Sequence, residues 1–393
     1  MTGLRIMSPG TARLAVRKLT LSDFRCYPTL RIETDARPVV LTGSNGAGKT
    51  NILEALSFLA PGRGLRRATL AQVARHGPAE KDPSGLWAVA ASLEGPSGRM
   101  DIGTGLTAGT ERRALKLDGK PARPVDLAGL VAALWLTPAM DRLFLEGAGG
   151  RRRFMDRLVL GMEGGHAREW AAYEHAMRER TRVLKDETGD PGWLSALESA
   201  MARHGIAVAS ARKRVIRELD RACAARQGAF PAARLAVSGE VESWLDSMDE
   251  AMATERLSSA LAMTRGRDHL AGAATLGPHR SDLAVRHAVK DQDAGDCSTG
   301  EQKAVLISIV LSQAREQAAR TGTAPLVLLD EVVAHLDGER RQALFVELAE
   351  LDAQSWMTGT DRGLFDGFGD RAQYFHVAEA TLTPYNPSGK DET

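Results

Sequence analysis

Gly43-Ser44-Asn45-Gly46-Ala47-Gly48-Lys49-Thr50 matches the pattern G-x-x-x-x-G-K-[ST]. Glycines at this spacing let successive backbone N–H groups turn inward onto phosphate oxygens, and a following helix adds the positive end of its dipole. Lys49 then reaches the terminal phosphates, and the Thr50 hydroxyl is available to a magnesium ion. The chemistry is that of a nucleoside triphosphate site. Such a site needs a distant carboxylate for its metal, and the apolar run Leu326-Val327-Leu328-Leu329 ends in Asp330-Glu331. Asp330 is the magnesium-side residue, and Glu331 is placed to polarise an attacking water as general base. Alone, the acidic pair could simply terminate a strand; beside an intact phosphate loop the catalytic reading is preferred. Lys49, Asp330 and Glu331 are therefore the candidate catalytic residues.

A third run, Cys297-Ser298-Thr299-Gly300-Glu301-Gln302-Lys303, opens a predicted helix. Ser298, Gly300 and Gln302 would converge hydroxyl, N–H and dipole on one anion. The plainer alternative is a capping box between Ser298 and Glu301. One bound nucleotide needs only one cradle. A second makes sense if it serves a nucleotide held by another copy, with two subunits packed head to tail about a two-fold axis.

The elements that must position these groups read as follows. From Val16 the pattern predicts strand, turn and strand, and 38–43 is a short buried strand feeding the glycine-rich turn. Residues 51–59 have helical spacing. Strands are predicted over 86–94, 99–107 and 114–122, the last with Asp118-Gly119 as a hairpin signal, making a β-rich lobe. After Thr137-Pro138 the chain turns to long helices. Trp170, Tyr173, Met177 and Leu184 form one apolar stripe; Leu194, Leu197, Met201, Val208, Ala211 and Val215 form another, interrupted by His204, with the breaker Gly189-Asp190-Pro191-Gly192 between them. These stripes are packing seams of two antiparallel helices in a short arm. Beyond 273 follow a polar loop (291–300), a helix (302–320), strands at 325–329 and 352–360, and a short polar tail after Pro384. The expected fold is α/β, a P-loop ATPase head of mixed sheet and flanking helices, with a β-rich lobe and an inserted antiparallel helical arm. Its expected parts are 1–145, 146–272 and 273–393.

With 393 residues, 43% hydrophobic and 26% charged, the chain is neither disordered nor fibrous. Cys26, Cys223 and Cys297 lie far apart without a Cys-x-x-Cys, which argues against a disulfide framework or thiolate zinc site and suits a reducing, cytoplasmic setting. No secretory leader or membrane-spanning run is evident. The net charge of +1 hides a gradient: residues 1–75 hold twelve Lys/Arg against four Asp/Glu, and residues 326–393 hold five against thirteen. A basic face toward a polyanion, or ordinary solvated charge, explains it.

Taken in order, the phosphate loop (Walker A, 43–50), a signature-like STGEQK (298–303), Walker B (326–331) and a D-loop-like His335-Leu336-Asp337 resemble the ABC-type ATPase head. The long insertion with a short arm is similar to the SMC-like branch rather than to transporter subunits. VRKLTLSDFRCY (16–27), GSNGAGKTNILEA (43–55), GRGLRRA (62–68), RRRFMD (151–156), TLGPHRSDL (275–283) and STGEQKAVL (298–306) extend the resemblance to the bacterial RecF family over nearly the whole chain. The first ten or so residues have no recognised counterpart.

That resemblance implies ATP and Mg2+ as cofactors, Asp337 near the nucleotide, and a weak DNA-dependent ATPase whose hydrolysis acts as a switch. It implies an ATP-dependent homodimer clamping single- and double-stranded DNA without sequence preference, in recombinational repair, replication-gap recovery and the SOS response. RecR and RecO as partners in RecA loading, no membrane, and a nucleoid-associated location follow from it as well. Two departures stand out: LTPAMDRLF (136–144) lacks a Q-loop glutamine, and Thr360-Asp361 stands where a switch histidine is expected. Both suit slow hydrolysis. Arg63, Arg66 and Arg67, and on the arm Arg212, Lys213, Arg214 and Arg217, are candidate DNA contacts, each equally readable as a solvated face. His279 and Arg280 either contact DNA, partner or nucleotide, or brace the fold. The alternatives are a transporter's ATPase subunit, which would have a smaller insertion, and a non-hydrolysing structural clamp. A P-loop kinase or GTPase would lack the second cradle, and no Asn-Lys-x-Asp is present.

Overall fold

The computed structural model describes residues 13–75, 85–110, 112–127, 129–186 and 190–386. Gly189 of the predicted breaker and the end of the polar tail, 387–393, lie outside them. Internal contacts divide the chain into two units, 1–140 with 314–393, and 141–313.

In the first unit, three short strands, Val39–Thr42, Leu326–Leu329 and Ser355–Gly359, are buried along their whole length. Strands covered on both faces read this way in parallel sheets. They form the middle of a six-stranded sheet in the order Thr381–Pro384, Gln373–Ala378, Val39–Thr42, Ser355–Gly359, Leu326–Leu329, Ala133–Leu136. Every pairing is parallel except the hairpin of Gln373–Ala378 with Thr381–Pro384. Parallel order brings the residues after Thr42, Leu329 and Gly359 to one carboxyl edge, where α/β sheets bind ligands.

A second, antiparallel sheet runs Tyr27–Glu33, Ala15–Phe24, Trp87–Gly95, Gly98–Leu106, Ala114–Leu117, Lys120–Pro121. Its last hairpin turns at Asp118 (φ 49°) and Gly119 (φ 77°), the left-handed pair that the Asp-Gly signal predicts. Residues of Trp87–Gly95 alternate in burial, and the inner set packs with Phe24 and Phe58, whose ring centroids lie 5.6 and 5.2 Å from Trp87. Helix Lys49–Ser57 shares one apolar core with both sheets, Leu19, Leu21, Leu53 and Leu56 meeting Leu326, Leu328 and Trp356. Buried Gln354 stitches the sheets: its carbonyl accepts from Val16 N (2.8 Å) and its amide donates to Val16 O (3.1 Å).

The second unit holds the two expected long helices, His166–Lys185 and Pro191–Ala224. Their pairs Glu169 with His204 and Arg180 with Glu198 close in sequence separation toward the turn, as antiparallel helices require. Tyr173, Leu194, Leu197, Met201, Val208, Ala211 and Val215 are buried as the stripes predicted. His204 does not interrupt the seam but bonds Glu169 at 2.7 Å. The sequence reading did not anticipate the helices Glu250–Met263 and Arg265–Ala271. Arg180 binds them in: fully buried, it donates to Glu198 (3.0 Å), Asp268 (2.8 Å) and Leu261 O (2.6 Å).

The boundary expected at 272/273 is not where contacts divide the chain. Strand Asp282–His287 pairs antiparallel with Ala233–Ser238, from Asp282↔Ser238 to His287↔Ala233, so 273–313 groups with the helices. Helix Thr299–Thr321 begins three residues earlier than predicted. All three cysteines are free. No helix among the described residues is long and apolar enough to cross a membrane.

Candidate nucleotide-binding site

The phosphate loop leaves strand Val39–Thr42 at Gly43, whose φ of 150° and close approach to the Val377 carbonyl, 2.2 Å from where a Cβ would sit, admit only glycine. Gly48, at φ 109°, forms the N-cap of helix Lys49–Ser57. Lys49 Nζ donates to the loop carbonyls of Gly43 (2.8 Å) and Ser44 (2.9 Å). Burial pulls the Lys49 ammonium below its ordinary value, opposed by the negative charges of Glu331 and Asp330. The three candidate catalytic residues therefore share one electrostatic site.

The Thr50 hydroxyl donates to both oxygens of Asp330, at 2.8 and 3.0 Å. A hydroxyl and a carboxylate make a hard oxygen pair of the kind that holds Mg2+ alongside substrate phosphates and water. Among the described residues no cluster of three or more His, Cys, Asp or Glu is placed to hold a metal ion. Glu331 sits in the left-handed region at φ 53°. Thr358, at the end of the neighbouring strand, donates to Asp330 Oδ1 (2.8 Å) and accepts from Glu331 N (2.9 Å). Sequence reasoning missed Thr358: it is one of two buried hydroxyls in Ser355–Gly359, and only the strand pairing shows which of them reaches Asp330.

Behind the loop, buried Glu54 accepts from Arg25 through both oxygens (2.8 and 2.6 Å) and from Arg66 at 3.0 Å. Arg66 also donates to Asn51 at 2.8 Å, so this candidate DNA contact is tied to the phosphate-loop helix. Arg63 and Arg67 are exposed. Arg113, which the sequence did not single out, fixes the segment that carries them: it donates to the Phe58 and Gly62 carbonyls and to Thr104. Burial brings Arg113 down to about 10.

In the second unit, Ser298 and Gly300 are exposed at the start of helix Thr299–Thr321. Glu301 Oε2 accepts from Ser298 N (3.1 Å) and Oγ (2.9 Å), while Lys290 pairs with Oε1 at 2.5 Å. Gln302 corrects the sequence reading. It is buried, with its amide donating to the carbonyls of Gly295 (3.2 Å) and Cys297 (2.9 Å), so it braces the turn from beneath instead of facing a phosphate. Asp337, in the first unit, caps helix Gly338–Glu350 by accepting from Arg340 N at 2.8 Å.

Arg212 is a second correction. It has no exposed surface, donates to both oxygens of Asp156 (2.8 and 2.9 Å) and to Pro278 O (2.6 Å), and lies over the Trp170 ring. No DNA phosphate can reach it. Lys213 is paired with Asp246, and Arg214 with Glu163 and Glu250; Arg217 is exposed. His279 braces the fold: its Nε2–H donates to Ala274 O (2.8 Å) and its Nδ1 accepts from the Tyr173 hydroxyl (2.6 Å). Burial lowers its proton affinity, which suits the neutral ring. Arg280 beside it is exposed.

The parallel sheet, the phosphate loop and the acidic pair at one edge define an ABC-type P-loop ATPase head of the SMC-like branch. Residues 15–379 match the RecF/RecN/SMC N terminal domain. Solved structures of similar fold include a recombination mediator protein RecF with ATPrS in the RecFOR pathway (TM-score 0.81, 19% identity, 95% of this chain and 98% of that one). An SMC head bound to the C-winged helix domain of ScpA is more distant (TM-score 0.52, 15% identity, covering 95% and 98%). Among curated relatives, DNA replication and repair protein RecF of Mesorhizobium japonicum is 47% identical over 95% of this chain and 98% of its own length. RecF of Rhizobium meliloti is 48% identical over 94% and 99%. The chain belongs to the RecF family of DNA replication and repair proteins, which sets aside the transporter reading.

Proposed function

We propose that this chain is an ATP-dependent DNA-binding protein of recombinational repair, acting at gapped or stalled replication forks. The observation that carries the reading is the meeting of Lys49, Thr50, Asp330 and Glu331 around one phosphate loop. Gly43, Ser44, Asn45, Gly46, Ala47 and Gly48 present backbone to the phosphates, and Lys49 moves from its loop carbonyls to the terminal phosphate. Thr50 and Asp330 hold Mg2+, which when bound neutralises phosphate charge. Glu331 orients and deprotonates the attacking water. ATP binding by the RecF proteins of solved structure supports this assignment.

ATP joins two copies head to tail, Ser298 and Gly300 of one facing the nucleotide of the other with Asp337 nearby, and slow DNA-stimulated hydrolysis releases them. Binding to single- and double-stranded DNA is electrostatic and sequence-blind, through Arg63, Arg67 and the outer edge of Arg66. RecR and RecO are the partners in RecA loading and SOS induction, in the nucleoid-associated cytoplasm.

Sedimentation velocity on labelled gapped DNA, with and without ATP, tests the reading with wild type, Lys49→Met and Ser298→Arg. ATP should give a DNA-bound dimer that both substitutions abolish. A wild type that stays monomeric, or DNA binding indifferent to ATP, overturns it. Glu331→Gln separates a working switch from a clamp that never hydrolyses: only in the former does the substitution trap an ATP-bound dimer.

A further inference from the structure

We infer that Thr358 is a positioning residue that sets both the metal-side carboxylate and the general base; this rests on the reading of Asp330 and Glu331 given above. Its place follows from strand register. Leu329 pairs with Met357, so the next residues on the two strands, Asp330 and Thr358, lie side by side, while Thr358 also pairs with Leu41 of the phosphate-loop strand. The residue is fully buried between the two strands whose ends carry the chemistry.

A hydroxyl has one proton to give and lone pairs to accept. Thr358 uses both, donating to Asp330 Oδ1 at 2.8 Å and accepting from Glu331 N at 2.9 Å. Thr50 also has a single proton, to be shared between the two Asp330 oxygens at 2.8 and 3.0 Å from its hydroxyl. When that hydroxyl turns to a cation, Thr358 remains the donor that keeps the Asp330 carboxylate in its plane. The second bond secures the backbone of Glu331 in a left-handed conformation (φ 53°) that L side chains adopt at a cost. Released from it, Glu331 relaxes to an ordinary conformation and its carboxylate swings away from the phosphate loop. One hydroxyl thus aligns two carboxylates without touching substrate.

The test compares Thr358→Val, which keeps the shape and loses the hydroxyl, with Thr358→Ser, which keeps it. ATP turnover is measured against Mg2+ concentration, and the affinity for a fluorescent ATP analogue is measured with Mg2+ and with EDTA. In Thr358→Val, kcat should fall by about 10- to 100-fold, the range typical of lost carboxylate orienters. The gain in nucleotide affinity on adding Mg2+ should shrink, while affinity in EDTA, set by the loop and Lys49, should hold. Thr358→Ser should restore both quantities. A Val variant with wild-type turnover and Mg2+ dependence overturns the inference, as does a Ser variant that fails equally. If the Val variant does not fold, Thr358→Ala replaces it under the same criteria. Asp330→Asn and Glu331→Gln run in parallel: if these leave turnover intact, the site reading itself falls and this inference with it. If they abolish turnover and Thr358→Val does not, only the inference falls.

Discussion

Replacing Arg212 by methionine separates a buried ion-pair hub from a DNA contact. The guanidinium has no exposed surface and makes three hydrogen bonds at 2.6 to 2.9 Å, two of them to Asp156. Methionine fills much of the volume but leaves the Asp156 carboxylate with His166 as its remaining side-chain partner, at 2.9 Å. Breaking a buried pair from one side costs about 3–5 kcal/mol. In a unit of about 170 residues each kcal/mol lowers Tm by about 2–4 °C, so the second unit should melt about 6–20 °C earlier. The gap should narrow in acid. Burial alone would raise Asp156, but His166 and Arg212 outweigh it and hold the carboxyl below its ordinary value of 3.8. A depressed acid contributes stability that is complete above its unfolded pKa and is lost as pH falls through its folded one. Wild type therefore loses that increment below about pH 4, where the variant's stranded carboxylate is relieved by protonation. Calorimetry from pH 7 to pH 3, with DNA binding measured against salt well below Tm, reads both effects. Were Arg212 a phosphate contact, Tm would hold and the salt slope would drop by about one. An unchanged Tm refutes the ion-pair reasoning.

Why the sequence misplaced Arg212 is physical. Helical stripes are read from apolar residues, and Arg212 follows Ala211 along a seam it shares with Val208 and Val215. Its burial is compensated by a carboxylate 56 positions away on another helix, a pairing no local window contains. The phosphate loop was legible because its glycines, lysine and threonine act within a few residues of one another. Asp330 and Glu331 were legible because an apolar run ending in acid is also local. Thr358 and Gln302 needed register and packing: the same hydroxyl or amide reads as filler until the neighbouring strand or turn is known. The domain boundary failed for a related reason, since the pairing of Asp282–His287 with Ala233–Ser238 spans more than forty residues. Short strands such as Ala133–Leu136 and Gln373–Ala378 gain their identity only from the sheet they join.

Two further outcomes follow from local geometry. Gly48→Ala would set a Cβ 2.6 Å from the Tyr27 hydroxyl and 2.8 Å from Cys26 Sγ, at a φ of 109°. Tyr27 is fully buried and cannot withdraw, and strain of about 1–2 kcal/mol should cost nucleotide affinity about tenfold, read with a fluorescent ATP analogue. Wild-type affinity would show that the loop yields freely. The Glu301 carboxyl should titrate at about 2, held down first by its bond from Lys290 and then by those from Ser298. Its contribution to the signature turn is accordingly full above the ordinary value of 4.5 and lost only as pH falls through about 2. Carboxyl chemical shifts should therefore show an unprotonated Glu301 at pH 4 in wild type and a clear upward shift in Lys290→Ala; titration near 4.5 in wild type refutes the pairing. The consequence reaches Ser298. Its single hydroxyl proton is given to Glu301 Oε2 at 2.9 Å, so the hydroxyl can donate to a phosphate only by leaving that carboxylate. When it does, the carboxylate keeps the Ser298 backbone N–H at 3.1 Å on the same oxygen and Lys290 at 2.5 Å on the other.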